Sequence, residues 1–295
     1  MKEKKRRILP PVLAACVLLG ALLLSQAAAL RVPVSAPEIP VSSPASITLT
    51  VHFIDVGQAE AILIQSGQQA MLIDAGNDED AELIVDYLRQ QGITRLKYAV
   101  GTHPHEDHLG ALDSVLTHFE VETLLLSRRT LNAGYVRDVL EAAEETETPI
   151  GYPSAGDTLT LGEDRIEVLA PIRDDYDEVN NASLVLRYTH GSLTLLLCAD
   201  MQAAAERDLL DSGISLRADV LKVAHHGSDT SSTAAFLAAV DPQDAVISVG
   251  SGNDYSLPSP TVLNRLQQMQ VTVWRTDQLG TIRLESDGVD YTLRH

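Results

Sequence analysis

A His-rich segment directly after an apolar stretch places the strongest constraint on how this 295-residue chain folds. Residues 96–100 predict a short buried strand, and the pattern His-x-His-x-Asp-His follows it. Neutral imidazoles and carboxylates are the usual nitrogen and oxygen ligands of Zn²⁺ and similar ions. On an extended loop, His103 and His105 point the same way and can share one ion, while Asp107 and His108 can reach a second. The alternative is a polar loop with surface histidines.

Candidate ligands also follow three other predicted strands. Asp74, Asp200 and the pair His225-His226 each come at the end of an apolar stretch. Each of them alone also fits a turn or a helix cap. A site for two metal ions, however, needs more ligands than one loop supplies, usually including a carboxylate shared by both ions. The repeated arrangement therefore predicts one site for two divalent ions, Zn²⁺ or Mn²⁺.

Strand patterns and helix patterns are mixed along the chain, with hairpins at both ends of the body. The predicted strands cover residues 47–54, 61–65, 70–73, 96–100, 124–126, 166–169, 183–187, 193–197, 220–223, 245–249, 271–274, 280–284 and 291–294. The predicted helices cover residues 80–90, 109–116, 136–143, 203–210, 234–240 and 261–269. This mixture predicts an α/β fold in which helices cover sheet layers.

The N-terminal part of the chain differs in composition from the rest. Residues 1–29 combine a basic start, an uncharged apolar run and small residues, which predicts a signal peptide or an uncleaved membrane anchor. A lipoprotein box ending at Cys16 is a further alternative, although the apolar run continues past it. Residues 30–46 predict a Pro/Ser linker, and the folded domain is expected over residues 47–295. Either N-terminal alternative predicts export, with the body secreted or anchored at the outer face of the cytoplasmic membrane.

The charge of the chain argues against broad attraction to polyanions. The formal net charge is −19, and the five Lys/Arg and one Glu before Leu30 contribute +4, so the remainder carries −23. A nucleic-acid substrate would therefore have to be held locally, by metal ions and a few basic residues. Lys222 and Ser228 are close enough in sequence to the predicted ligands to contact an anionic group. A solvated lysine and a turn serine are the alternative.

Six segments, taken in order, resemble the metallo-β-lactamase superfamily, and most of all its ComEC-type branch, the exported metallohydrolase domain of competence proteins. The segments are residues 53–61, Asp74, residues 103–110, residues 180–186, Asp200 and residues 225–228. The chain is also similar to secreted phosphorylcholine esterases of that superfamily. The resemblance begins near residue 47 and implies a four-layer αββα sandwich with the site along one edge.

The resemblance also implies how the ligands are shared. His103 and His105 would hold one ion, Asp107 and His108 the other, and Asp200 would bridge the two. Asp107 would in addition orient the attacking nucleophile, which makes Asp107 and Asp200 the expected catalytic residues.

One further imidazole would complete the second ion's site. His225 is favoured over His226 because it lies nearer the strand, although the sequence leaves both open. Asp74 would not bind an ion itself but would orient one of the metal ligands through a hydrogen bond.

The chain departs from the superfamily pattern in four places, one of which is Ala199-Asp200, where relatives often read Gly-Asp. Many members supply another His where this chain has Asn180-Asn181, which is similar to the ComEC-type pattern instead. Leu257 stands where relatives often carry His before Pro, and Ala59-Glu60 stands where they often read Gly-Asp. These differences put the strength of the first metal site and one substrate contact in doubt, and Asn181 stays an uncertain site residue.

The predicted function is an exported metal-dependent hydrolase in which a hydroxide bridging two ions attacks phosphorus or carbonyl. By the resemblance, phosphodiester substrates fit best, either nucleic acid or a choline-bearing cell-surface polymer. The alternatives are a hydrolase of another ester class and an exported binding module that has lost turnover. Membrane contact is expected only through an uncleaved N-terminal segment, and the sequence implies no protein partner.

Overall fold

A computed structural model describes residues 48–295 of the chain. The predicted signal peptide or anchor over residues 1–29 and the predicted linker over residues 30–46 lie outside the described residues. Within residues 48–295, no helix combines the length and the apolar character that a bilayer span requires.

Within this part of the chain, the first sheet has eight strands. They are β1 (Leu49–Phe53), β2 (Ile62–Ser66), β3 (Gln69–Ile73), β4 (Arg95–Gly101), β5 (Glu120–Leu126), β6 (Ile150–Gly151), β14 (Ile282–Ser286) and β15 (Tyr291–Arg294). Their order across the sheet is β15-β14-β1-β2-β3-β4-β5-β6. Strands β1 to β3 run antiparallel, with a tight turn between β2 and β3, whereas β3, β4 and β5 are joined through helices and run parallel.

The second sheet has seven strands among the described residues. They are β7 (Thr158–Leu161), β8 (Asp164–Ala170), β9 (Val185–His190), β10 (Leu193–Leu197), β11 (Val220–Lys222), β12 (Asp244–Ile247) and β13 (Thr272–Arg275). They lie in the order β13-β12-β11-β10-β9-β8-β7. As in the first sheet, an antiparallel half (β7 to β10) continues into a parallel half (β10 to β13).

Helices connect the parallel strands of both sheets, and one further short helix links β13 of the second sheet to β14 of the first. They are α1 (Ala81–Gln90), α2 (Glu106–Leu109), α3 (Leu112–His118), α4 (Gly134–Glu145), α5 (Ala203–Asp211), α6 (Ala234–Val240), α7 (Pro260–Gln268) and α8 (Thr276–Leu279). Local sequence sets several of their starts. The Ser259 hydroxyl accepts a hydrogen bond from the Thr261 N–H and Pro260 occupies the first turn, so α7 begins where an N-cap and a fixed φ both favour it.

Three buried clusters define the layers. One contains side chains of both sheets, including Phe53 and Tyr188, and so fills the space between them. A second joins α1, α3 and α4 to the outer face of the first sheet. A third joins α5, α6 and α7 to the second sheet. The order is therefore helix, sheet, sheet, helix, and the predicted αββα sandwich is confirmed.

The predicted elements recur in the structure with small differences in their bounds, and one of them is divided. The predicted helix over residues 109–116 begins earlier and is interrupted at Gly110, between α2 and α3. A Cβ at Gly110 would lie 2.2 Å from the backbone of Asn77, so only glycine permits this close approach. The short strands β6 and β7 and the one-turn helix α8 were not predicted, because they are too brief to show a period.

Candidate metal centre

The candidate ligands meet because the parallel strands of both sheets end at one edge of the sandwich. In the first sheet, β3 delivers Asp74 and β4 delivers the His-rich loop beside it. In the second sheet, β10 leads to Asp200, and the neighbouring parallel strand β11 leads to His225 and His226. The carboxyl ends of parallel strands are the usual place for ligand sites in α/β sheets.

The first ligand group contains nitrogen atoms from both sides of the cleft. The His103 Nε2 lies 3.1 Å from the His105 Nδ1. The Asp200 Oδ2 is 3.8 Å from the His103 Nε2 and 3.7 Å from the His225 Nε2. Two imidazoles therefore face one oxygen of Asp200, and the third lies beside His103, which together form a nitrogen-rich donor set of the kind that binds divalent transition-metal ions.

The second ligand group brings together Asp107, His108, Asp200 and His226, whose donor atoms all lie within 4.8 Å of one another. The Asp200 Oδ1 is 3.3 Å from the His108 Nε2 and 3.6 Å from the His226 Nε2. The Asp107 Oδ2 is 3.3 Å from the same His226 nitrogen. Two imidazoles and two carboxylates that face one point are donors of the types that could hold a divalent metal ion.

The two oxygens of Asp200 thus face different groups, Oδ2 the first and Oδ1 the second, as a carboxylate shared by two ions requires. Within the described residues, three buried atoms of the second group have no hydrogen-bond partner: the His108 Nε2, the Asp200 Oδ1 and the His226 Nε2. A buried polar atom without a partner costs about 1 to 3 kcal/mol. A divalent ion would satisfy all three atoms, so the residues present fit a metal ion.

Asp74 lies behind His108, in the position that its predicted orienting role requires. Its Oδ2 is 2.6 Å from the His108 Nδ1, and both residues are fully buried. The Thr102 N–H and hydroxyl each donate to this carboxylate, at 2.8 and 2.7 Å. These contacts hold the proton of His108 on Nδ1 and leave Nε2 facing the ligand group.

The buried charges of the group strongly perturb its titration. Burial alone would lower the pKa of His108, but the carboxylates of Asp200, Asp74 and Asp107 raise it well above its ordinary value. Burial alone would raise the pKa of Asp200, but His108 and His226 hold it well below its usual range. The carboxylates of Asp200, Asp74 and Asp107 thus concentrate negative charge around His108, and a divalent cation would neutralise part of that charge.

His225 and His226 both adopt left-handed backbone conformations, with φ of +52° and +51°. Non-glycine residues pay about 1 to 3 kcal/mol each for such conformations, which cluster at functional sites. Here the strained turn directs one imidazole to each side of Asp200. The preference for His225 in the second group is therefore wrong: His226 completes that group, and its Nδ1 donates to the Ser248 carbonyl at 2.8 Å.

Two residues expected to touch a substrate do not face the cleft as predicted. Lys222 is fully buried, and its Nζ lies 2.6 Å from the Glu60 Oε2 and 3.0 Å from the Val223 carbonyl. It is therefore neither a substrate contact nor a solvated lysine. The Ser228 hydroxyl lies 2.9 Å from that of Thr230, within the turn after the histidine pair, which matches the alternative reading as a turn serine.

Asn181 also has a structural role. Its Oδ1 accepts hydrogen bonds from the N–H groups of Gln202 and Ala205, at the start of α5. The neighbouring Asn180 faces the ligands instead: its Nδ2 lies 3.3 Å from the His225 Nε2, and its buried Oδ1 has no partner among the described residues. Spacing alone could not have distinguished two adjacent asparagines.

The ligands open into a cleft of about 420 Å³, hereafter the metal cleft. Its walls include Gln58, Asn77 and Tyr255, none of which the sequence analysis assigned to the site. Tyr255 is 72% exposed at the rim, where an unpacked aromatic ring is available to a ligand. In the sequence, Tyr255 lies two residues before Leu257, which stands where relatives often carry His and which also lines the cleft.

Comparison with known proteins agrees with this geometry. The model of the metallo-beta-lactamase superfamily matches residues 54–251, so the chain belongs to that superfamily and is a metal-dependent hydrolase by class. Within the superfamily it belongs to the ComEC-like branch, as its similarity to competence and recombination proteins shows.

Two curated relatives illustrate this. ComE operon protein 3 of Bacillus subtilis (strain 168) is 31% identical over 251 residues, covering 79% of this chain and 32% of the relative. Competence protein ComA of Neisseria gonorrhoeae is 31% identical over 249 residues, covering 84% of this chain and 33% of the relative. The chain thus spans about a third of the length of these relatives.

Among solved structures, the fold is similar to CmlA, a diiron beta-hydroxylase from Streptomyces venezuelae, with a TM-score of 0.56 and 14% identity. The match covers 83% of this chain and 55% of CmlA. At this identity the likeness concerns the fold alone, and a hydroxylase on the same scaffold shows that the site must decide the chemistry.

Proposed function

We propose that residues 47–295 form an exported phosphodiesterase that uses two divalent ions, Zn²⁺ or Mn²⁺, to cleave nucleic acid. The observation that carries the proposal is the position of Asp200 between two ligand groups, with one oxygen facing each. Two ions bridged by a carboxylate suit the in-line displacement at phosphorus, in which attacking and leaving oxygens both need stabilisation.

When bound, the ions would lower the pKa of water and neutralise charge on the phosphodiester. The protein's own residues would position the reactants. The Asp107 side chain is about one-third exposed to the metal cleft, where its carboxylate can orient the attacking water. The Asn180 amide lines the same cleft beside the ligands and can donate to a substrate oxygen.

The choice of nucleic acid is supported by two further observations. Relatives of this chain are named for competence and recombination. The exposed ring of Tyr255 at the rim of the metal cleft offers a surface on which a base can stack. Export is supported by the composition of residues 1–29.

The geometry weakens the case for a binding module without turnover. That alternative is motivated by Leu257 and by the absence of a further His where this chain has Asn180-Asn181. His225 places an imidazole beside the first group from the opposite side of the cleft, so the group does not depend on that His.

The test is hydrolysis of bis(p-nitrophenyl) phosphate by residues 46–295, which contain the whole described sandwich. Wild-type protein with Zn²⁺ or Mn²⁺ should turn over, and His103→Ala and Asp200→Ala should each abolish turnover. His118→Ala is the matched control, because this exposed histidine of α3 does not contact the ligands and its loss should leave the rate unchanged. Bound metal without turnover would favour the binding module or another ester class.

A further inference from the structure

A second cavity, of about 260 Å³, shares the His-rich loop with the metal cleft. Its walls include the loop residues His103 and Pro104, whereas the metal cleft is lined by His105 and the residues after it. We call it the arginine cavity, after the residues that form its outer wall. They are Arg128, Arg129 and Tyr152.

The arginine cavity is a local positive region on a strongly acidic body. Its lining contains no carboxylate. The Arg128 guanidinium is held by neutral groups, donating to the Tyr152 carbonyl at 3.1 Å and the Ser154 hydroxyl at 3.3 Å. The side chain of Arg129 has neither an ion pair nor a hydrogen bond within residues 48–295. Most other Lys and Arg residues of that range lie within 4 Å of a carboxylate, as Arg95 does.

Two unpaired guanidinium groups are therefore available to an anion that no part of the described protein supplies. Guanidinium groups bind phosphate through paired donors and carry their charge at all relevant pH values. Because the remaining surface repels polyanions, such an anion would be held here and at the metal ligands rather than over the body in general.

The same wall presents apolar surface beside the charges. Tyr152 is 45% exposed and Leu140, which also lines the cavity, is 38% exposed. Basic groups that follow a phosphate backbone, combined with aromatic rings on which bases stack, are the means by which proteins bind single strands. A duplex would keep its bases stacked on each other and could not use the tyrosine ring in this way.

We propose that the arginine cavity binds the phosphate backbone of single-stranded nucleic acid on one side of the phosphodiester held at the metal centre. The proposal deepens the proposed function and rests on it for the placement of the scissile bond. The cavity and the metal cleft would then form one track, with Arg128 and Arg129 at one end and Tyr255 at the other.

The test compares the Arg128→Ala/Arg129→Ala variant of residues 46–295 with Arg89→Ala/Arg207→Ala, which removes the same charge from exposed positions on α1 and α5. Binding of fluorescein-labelled dT12 is measured by anisotropy in EDTA, so that no cleavage occurs, over a series of salt concentrations. Each lost phosphate contact should reduce the slope of log K against log salt by about 0.7. The cavity variant should therefore lose about 1.4 in slope and bind about tenfold more weakly, with the control unchanged.

Hydrolysis of bis(p-nitrophenyl) phosphate separates this proposal from the proposed function, since so small a diester need not reach the arginine cavity. Turnover in the cavity variant should stay within about twofold of wild type. If the wild-type protein hydrolyses the small diester but binds dT12 equally well with and without the two arginines, or does not bind dT12 at all, the inference is overturned and the proposed function stands. Arginine-dependent binding without any turnover would support the binding track and overturn the proposed function. Equal competition by a glycerol-phosphate polymer of the same length would overturn the assignment to nucleic acid.

Discussion

Breaking the buried ion pair between Lys222 and Glu60 should destabilise the folded domain. The pair joins β11 of the second sheet to the loop before β2 of the first, and both side chains are essentially inaccessible to solvent. The backbone of Glu60 also donates to the Asp107 carbonyl at 3.0 Å and accepts from the Gly76 N–H at 2.9 Å. The pair therefore holds the two halves of the sandwich together beside the ligands.

Lys222→Met should destabilise residues 46–295 by about 3 to 5 kcal/mol, because it leaves the Glu60 carboxylate buried without its partner. For a domain of this size, that corresponds to a fall in the melting temperature of about 6 to 20 °C. Adding Glu60→Met should restore most of the loss, since replacing both members of a buried pair by apolar side chains of similar size is often close to neutral.

The measurement is urea unfolding of wild type, both single variants and the double variant, analysed as a double-mutant cycle. The reasoning would be refuted if Lys222→Met lost less than about 1 kcal/mol and instead raised the KM for bis(p-nitrophenyl) phosphate. That outcome would restore Lys222 as a substrate contact, as its sequence position had suggested.

Three further changes follow from the site and the core. In equilibrium metal analysis, His226→Ala should lose one of two bound ions, and His225→Ala should bind the other ion more weakly. Full retention of both ions in either variant would contradict the two-group arrangement. Asp74→Asn should weaken metal binding by about 10- to 100-fold in a chelator competition, because His108 loses the carboxylate that fixes its orientation and proton position. Burial lowers the pKa of His52 to about 4, so the unfolded chain takes up a proton first as pH falls below about 6.5. Stability should therefore fall by about 2 kcal/mol more between pH 7 and pH 5 in wild type than in His52→Gln, as measured by urea unfolding; equal losses would place His52 in a solvated setting.

Much of the fold could be predicted because its strands and helices have clear periods. The apolar run over residues 193–197 and the helical pattern over residues 80–90 recur as β10 and α1. The elements that were missed, β6, β7 and α8, have two to four residues each, which is too short to show a period. Their conformation depends on contacts with neighbouring elements. The division of the predicted helix at Gly110 depends on the backbone of Asn77, which is distant in sequence.

The sequence by itself determined the class of the protein and the candidate ligands, because a strand followed at once by His or Asp is a local pattern that spacing reveals. The tertiary structure decided how those residues are used. Two left-handed residues send His225 and His226 to opposite sides of Asp200, which no count along the chain could assign. Burial turned Lys222 from a candidate substrate contact into the partner of Glu60. Only the tertiary structure shows that Arg128 and Arg129 lie beside the His-rich loop in a cavity without carboxylates. Whether a charged group is available to a ligand depends on its neighbours in space, not on its position along the chain.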